Sequence, residues 1–428
     1  MAQVLHSPGV ESHPFHQSTR DRDVSSFSPG ASTIPRSLQF PSLLYHHTLS
    51  IPSPNTPEDT SDMIDIRSSD TSLLDSLDTQ TLSSLLQPPG KKSLPSLLLW
   101  DEKGQCLYDS ILATPYYYPY RVENALLLKQ ISHIASTIAS STTDILVELG
   151  AGNLSKTALL LGALDRCLDS SGQRAGKMVY YALDVDRSLL ESSLNPLRKR
   201  TALKNIELRS LLGTYEDGAR WLSQPDLAPY RKTMVWLGNS IANLEKEEAS
   251  ALLTKFASQN GVQNLAGFLL GVDGCLDQEK VERAYNAPGG ENKRWVLHAL
   301  EAAGEQLQLS SSDSGSGMFD EKNWRFEGRW DAERQRYENY LVPLRRTEAV
   351  VHNKEGKTEK VVLEEGEKVF VLGSGKWTER DVQEICEKGP GLELRRSWHS
   401  EGDDYGVYWL QPGKKRLDSG IEMEDNEE

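Results

Sequence analysis

Residues 143–152 read TDILVELGAG, and this stretch decides the fold. An apolar run too short for a helix ends at Gly150 and Gly152, and a helix-like segment, KTALLLGALDRCL, begins at Lys156. Glycines at the carboxyl end of a strand let the backbone approach a ligand closely and open the next helix. The following apolar run, KMVYYALDVD at 177–186, ends in Asp184 and Asp186. An acid at that point suits the hydroxyls of a ribose.

Working outward, strand-like and helix-like segments alternate. RSLLESSLNPLRKR is expected to be helical as far as Pro196. IELRSLLGTYEDG, KTMVWLGNSIANL and LAGFLLGVDG supply further strands, with KEEASALLTKFAS as a helix between the last two. Such alternation implies a parallel sheet with helices on both faces. LELRRSW and YGVYWLQ, joined by HSEGDD, read as an antiparallel hairpin closing the sheet edge. The motif lacks a third glycine at the dinucleotide spacing, so a nucleoside joined to an amino acid fits better than a pyrophosphate. S-adenosylmethionine is the expected cofactor; the bland alternative is that Glu148 and Asp184 merely cap helices.

Ligands of open α/β sheets sit at the carboxyl ends of the strands. This makes Gly213-Thr214-Tyr215 a candidate wall for an adenine, and Gly238 to Asn243 a candidate substrate-facing loop, with a helix N-cap as the alternative for Asn243. Tyr116-Tyr117-Tyr118-Pro119-Tyr120 is an aromatic surface with hydroxyl handles. It could wall a pocket for a sulfonium or an amine, or simply pack helices on the sheet. Helical spacing from Val122 to Ala139 places Ala125, Leu128, Ile131, Ile134 and Ile138 on one face.

Residues 1–62, rich in Ser, Pro, Thr and His, read as a disordered tail. Residues 63–142 read as a helical segment of a substrate domain and 143–274 as the Rossmann-like domain. Residues 275–375 break the alternation and read as a smaller insert, 376–412 as the last helix and hairpin, and 413–428 as an acidic tail.

The chain has 428 residues and a net charge of -15, which argues against nucleic acid as a partner. No segment reaches the roughly 18 apolar residues of a membrane span. The four cysteines, Cys106, Cys167, Cys275 and Cys386, are far apart and read as reduced thiols. A cytoplasmic monomer acting on a small molecule is expected. No His/Cys/carboxylate cluster suggests a metal; His133, His298 and His352 read as structural or exposed.

An ordered set of motifs then points to a family. IDIR at Ile64–Arg67, LPSLLLWDEKG at Leu94–Gly104, YYPYR at Tyr117–Arg121 and VELGAGNLSK at Val147–Lys156 come first. YYALDVD, LLGTYEDG, LGNSIAN, VERAYN and SGKW at Ser374–Trp377 follow in order. The chain resembles the histidine-specific methyltransferase family of ergothioneine biosynthesis and its fungal relatives, among them the dimethylallyltryptophan N-methyltransferases. The resemblance implies an α/β fold: a Rossmann-like class I methyltransferase sheet with a smaller inserted α+β substrate domain. It also implies a stand-alone methyltransferase of fungal secondary metabolism.

By the same resemblance the cofactor residues fall on Gly150, Gly152, Lys156, Asp184, Thr214 and Tyr215; the strand ends add Glu148 and Gly238. An amino-acid carboxylate clamp falls on Asn243 and Tyr285, and a Tyr near the substrate amine falls on Tyr118; Tyr118 or water could accept a hydrogen bond or proton there, a modest general-base contribution. Histidine-methylating members carry a Glu two residues before the Ser of the S-x-K-aromatic motif; here that position is Leu372, ahead of Ser374. Leucine cannot accept a hydrogen bond from an imidazole N–H, and an unpaired buried donor costs roughly 1–3 kcal/mol. Histidine is therefore disfavoured, and methyl transfer to the amine of an aromatic amino acid or derivative is expected. O-methylation of a phenolic or carboxyl metabolite and a non-catalytic cofactor-binding regulator are the alternatives.

Overall fold

The computed structural model describes residues 63–67, 77–171, 176–200, 202–257, 261–309, 317–352, 358–402 and 405–413. The tail expected at 1–62, all of the tail expected at 413–428 except Gly413, and most of the Ser/Gly loop SSSDSGSG lie outside these described residues.

Strand β1 (Met63–Asp65) is followed by helices α1 (Leu77–Leu85), α2 (Glu102–Leu112) and α3 (Tyr118–Ser140). An alternating stretch comes next: β2 (Ile145–Leu149), α4 (Ser155–Ser171), β3 (Met178–Asp184), α5 (Arg187–Arg200), β4 (Ile206–Leu212), α6 (Tyr215–Leu222), β5 (Lys232–Trp236), α7 (Lys246–Ala257) and β6 (Leu265–Asp273). Then come α8 (Gln278–Tyr285), α9 (Glu291–Gln306) and strands β7 (Trp324–Asp331), β8 (Arg336–Pro343), β9 (Thr347–His352), β10 (Thr358–Leu363) and β11 (Val369–Gly375). Helix α10 (Glu379–Lys388) and the hairpin β12 (Leu392–His399) and β13 (Tyr405–Pro412) complete the described chain.

Eight strands form one sheet in the order β1-β4-β3-β2-β5-β6-β13-β12. The pairs from β1 to β6 are parallel, whereas β13 runs antiparallel to both β6 and β12. The strand order reverses between β2 and β5, the point where open α/β sheets leave a crevice for ligands. Alternate side chains of β2 serve opposite faces. Ile145, Val147 and Leu149 join one buried layer with Trp236, Leu253 and Phe256, while Leu146 joins the other with Leu127, Ile134, Leu161 and Tyr180.

A third cluster gathers Leu85 of α1, Ile111 of α2, Trp295 and Leu300 of α9, and Tyr337 and Leu372 of the smaller sheets. Those sheets are β11-β8-β7, antiparallel throughout, and the hairpin β10-β9.

The structure departs from the sequence reading at three places. Helix α5 runs through Pro196 instead of stopping there. A proline removes one hydrogen bond from the ladder, and the buried Leu190, Leu194 and Leu197 hold the turns on either side to the sheet. Within 63–142, β1 and α3 pack with the large sheet, whereas α1 and α2 lie with α9; the buried stripe of α3 is what carries it there. That stripe is Glu123, Leu126, Leu127, Ile134, Ala135 and Ile138. Ala125 and Leu128, placed on the buried face by the spacing, are exposed.

Among the described residues, no helix is long and apolar enough to cross a membrane, and no group of three or more His, Cys, Asp or Glu is placed to hold a metal ion.

Candidate active site

A cavity of about 610 Å³ opens at the carboxyl ends of β2, β3, β4 and β5. One end is made of backbone turns. Gly150 and Gly152 adopt φ of +68° and +56°, a region L side chains rarely enter. A Cβ on Gly150 would lie 2.8 Å from the Tyr215 hydroxyl. Asp184, at the tip of β3, faces the same space, and its carboxylate accepts from the backbone N–H groups of Gly152 (3.1 Å), Val185 (2.8 Å) and Asp186 (3.3 Å). Burial raises its carboxyl above the ordinary range, against the pull of those donors.

Thr214 caps α6, its hydroxyl accepting from the Asp217 N–H while the Asp217 carboxylate accepts from the Thr214 N–H. This fixes the first helical residue, Tyr215, whose ring packs on Trp236 with centroids 4.6 Å apart. Burial pushes the Tyr215 phenol up to about 12.

Glu148 borders the cavity, but its oxygens accept from Thr157 (2.7 and 2.6 Å) and from the Tyr180 hydroxyl (2.5 Å). Burial raises its carboxyl to about 7. Gly238 and Asn239, after β5, are both left-handed, with φ of +83° and 62°. Lys156 and Gly238 meet at Glu123 of α3, which accepts from the Lys156 ammonium (2.5 Å) and the Gly238 N–H (2.7 Å).

The other end is aromatic. Trp100 and Tyr108 meet edge to face at 5.1 Å and both line the cavity. Trp295 backs each of them at 5.2 Å, and Tyr117 continues the wall, 6.5 Å from Tyr108. Burial holds the phenols of Tyr108 and Tyr117 well above their usual range.

The substrate residues named from the sequence divide. Asn243 lines the cavity at the end of a short 3-10 turn, Ser240–Asn243, rather than capping α7. Tyr118, Tyr285, Leu372 and Ser374 are not among the residues lining it. They belong to a buried network one layer back, with the Tyr117 ring set against Tyr285 at 5.6 Å.

Asp273 and Lys376, both fully buried, are paired at 2.9 Å at the heart of that network. Lys376 also donates to the Tyr285 hydroxyl (3.0 Å) and Ser374 (3.3 Å), and Tyr285 and Ser374 share a 2.7 Å bond. The Tyr118 hydroxyl donates to Asp273 at 2.7 Å, and burial pushes that phenol far up. Tyr118, expected near the substrate amine, instead gives its hydroxyl to Asp273 behind the wall, and its neighbour Tyr117 lines the cavity. Leu372 sits in β11 within the apolar cluster, its carbonyl accepting from Asn339 at 3.0 Å.

Sequence reasoning gave no role to Glu123, Asp273 and Lys376. The signal for Glu123 was a lone acid on the apolar face of a helix; for Lys376 it was the lysine inside SGKW.

The turn geometry fits an adenosyl group bearing an amino-acid tail. The backbone at Gly150 and Gly152 takes positive φ and at Gly150 lies against the Tyr215 hydroxyl, the Asp184 carboxylate could accept from two ribose hydroxyls, and Lys156 lines the cavity as a cation for a carboxylate.

Comparisons with known proteins agree. The chain is 35% identical to N-methyltransferase imqF of Aspergillus flavus over 317 residues, covering 74% of this chain and 80% of that protein. It is 36% identical to N-methyltransferase fsqC of Aspergillus fumigatus over 318 residues, covering 74% and 78%. It is 30% identical to 4-dimethylallyltryptophan N-methyltransferase easF of Arthroderma benhamiae over 353 residues, covering 82% and 96%. The family described as histidine-specific, SAM-dependent methyltransferase matches residues 77–412. With the nucleoside cradle and these relatives together, the chain belongs to the histidine-specific, S-adenosylmethionine-dependent methyltransferase family and is an enzyme of that class.

Proposed function

We propose that this enzyme methylates the amine of an aromatic amino acid, or of a metabolite derived from one, in fungal secondary metabolism, and that histidine is not its substrate. The observation that carries the reading is the aromatic end of the cavity, where Trp100, Tyr108 and Tyr117 offer ring faces and edges to a flat, largely apolar side chain. By the resemblance, histidine-methylating members carry a Glu where this chain has Leu372, which here lies in the apolar cluster behind the wall rather than on the cavity. The name of easF, with its prenylated tryptophan, lies in the same substrate class.

S-adenosylmethionine supplies an electrophilic methyl group on its sulfonium. Gly150, Gly152, Asp184, Thr214, Tyr215, Gly238 and Lys156 hold the cofactor, with Glu148 buttressing the turn from beneath. Asn243 orients the substrate and the protonated phenols of Tyr108 and Tyr117 steer an amine that arrives as the free base; its lone pair takes the methyl as the C–S bond breaks, and the N-methylammonium then loses its proton to water. In-line displacement gains most from such alignment. Tyr285 and Ser374 act from behind the wall, through the position of Tyr117. Action in the cytoplasm as a monomer is part of the same proposal; the four cysteines form no disulfide in the structure.

The test is calorimetric titration with S-adenosylhomocysteine, followed by tryptophan, tyrosine, histidine and dimethylallyltryptophan in its presence. Binding of an indole or phenol amino acid but not of histidine is expected. Preferential binding of histidine would overturn the substrate assignment.

A further inference from the structure

Glu123 is a fully buried carboxylate that borders the cavity and that no motif reading assigns. It projects from the first turns of α3, directly after the tyrosine segment, onto the strand ends of β5 and β6. Its two oxygens have different fixed donors: Oε1 accepts from the Gly238 N–H at 2.7 Å, and Oε2 from Lys156 Nζ at 2.5 Å.

The surrounding backbone is shaped to admit this arrangement. A Cβ on Gly271 of β6 would fall 2.4 Å from Glu123 Oε1, and one on Gly238 would fall 3.2 Å from Lys156 Nζ. Strand β6 and the turn after β5 therefore carry glycine where the carboxylate and the ammonium come to rest. An unpaired buried carboxylate would be costly, and one with both oxygens engaged fixes the groups that engage it. Lys156 keeps 18% of its side chain exposed, so its ammonium has access to the cavity while its direction is set from behind.

We propose that Glu123 is the positioning residue for the amino-acid end of the cofactor, holding the Lys156 ammonium and the Gly238 turn in one register so that Lys156 receives the cofactor's α-carboxylate. The inference rests on the cofactor reading of Lys156 and Gly238 given above. It also makes α3 part of the cofactor site, although the helix contributes no motif glycine.

The test uses two probes: S-adenosylhomocysteine, which carries the amino-acid tail, and 5′-methylthioadenosine, which lacks it. Glu123→Gln is expected to weaken S-adenosylhomocysteine by about tenfold or more, the loss of a hydrogen bond to a charged group. Affinity for 5′-methylthioadenosine should stay within about twofold, because the adenosine cradle is untouched. Glu123→Asp keeps the charge but retracts it by one methylene, and should recover part of the loss. It also serves as the readout should the glutamine variant fail to fold.

Equal weakening of both probes would mean that Glu123 only supports the fold and would overturn the proposal, as would unchanged affinity for S-adenosylhomocysteine. Failure of the unaltered enzyme to bind S-adenosylhomocysteine is a different result and would strike the cofactor assignment itself.

Discussion

At one end of the cavity the wall is backbone: the turns after β2, β4 and β5 bring Gly150, Gly152, Gly213 and Gly238 around the Asp184 carboxylate. At the other end the wall is side chains, with Trp100, Tyr108 and Tyr117 drawn from two helices and their approaches and backed by Trp295 of α9. The first end is rigid because its shape is the sheet's own topology. The second is made of side chains, packed ring against ring with the Trp295 N–H bonded to the Leu99 carbonyl, and its character changes with the residues that compose it. A scaffold built this way keeps one cofactor while its substrate varies.

Four measurements test how far the two ends differ, and the greatest effect is expected at Glu148. Burial raises Glu148 to about 7 from the ordinary 4.5. Below 4.5 both folded and unfolded chains hold the proton. Between 4.5 and 7 only the folded chain does, so stability falls as pH rises through that window and levels off above it. Glu148→Gln should flatten this slope, worth about 3 kcal/mol at full extent; denaturant melts across the window that retain the slope would refute the assignment.

Asp184→Ala should cost about thirtyfold or more in S-adenosylhomocysteine affinity by calorimetry, since it removes the acceptor aimed at the ribose. An unchanged affinity would dissolve the distinction between the two ends.

Gly150→Ala and Gly152→Ala both incur left-handed strain of about 1–2 kcal/mol. Only the first also collides with the Tyr215 hydroxyl, so its melting temperature and cofactor affinity should fall further. Equal effects would show that close approach to Tyr215 does not matter.

Trp100→Ala should raise KM for an aromatic amine about tenfold and leave S-adenosylhomocysteine within about twofold. A matching loss of cofactor affinity would show that the aromatic end is not separate.

The same contrast explains what the sequence made legible. Gly150, Gly152, Asp184, Thr214 and Gly238 were readable because a strand followed by glycine or acid is a contiguous signal, and the topology does the rest. The aromatic end was readable only in fragments. Trp100 and Trp295 lie far apart in the chain, and nothing local says that they meet. Tyr117 and Tyr118 are adjacent, yet which of them faces the cavity depends on the rotation of α3 on the sheet. That rotation was misjudged for the same reason: Ala125 and Leu128 fit a helical period but are exposed, while the true stripe includes a glutamate. The lysine of SGKW was visible as a motif letter, but its pairing with Asp273 required the third dimension.

That pairing has a consequence for how the molecule comes apart. Asp273 ends β6 of the large sheet, and Lys376 follows β11 of the small one. Pulling the two sheets apart would strand opposite charges in a dry interior, at a cost of several kcal/mol before water could reach them. The Asp273–Lys376 pair therefore couples the end of β6 in the larger sheet to the end of β11, and a variant lacking one partner would leave the other charge buried and unpaired.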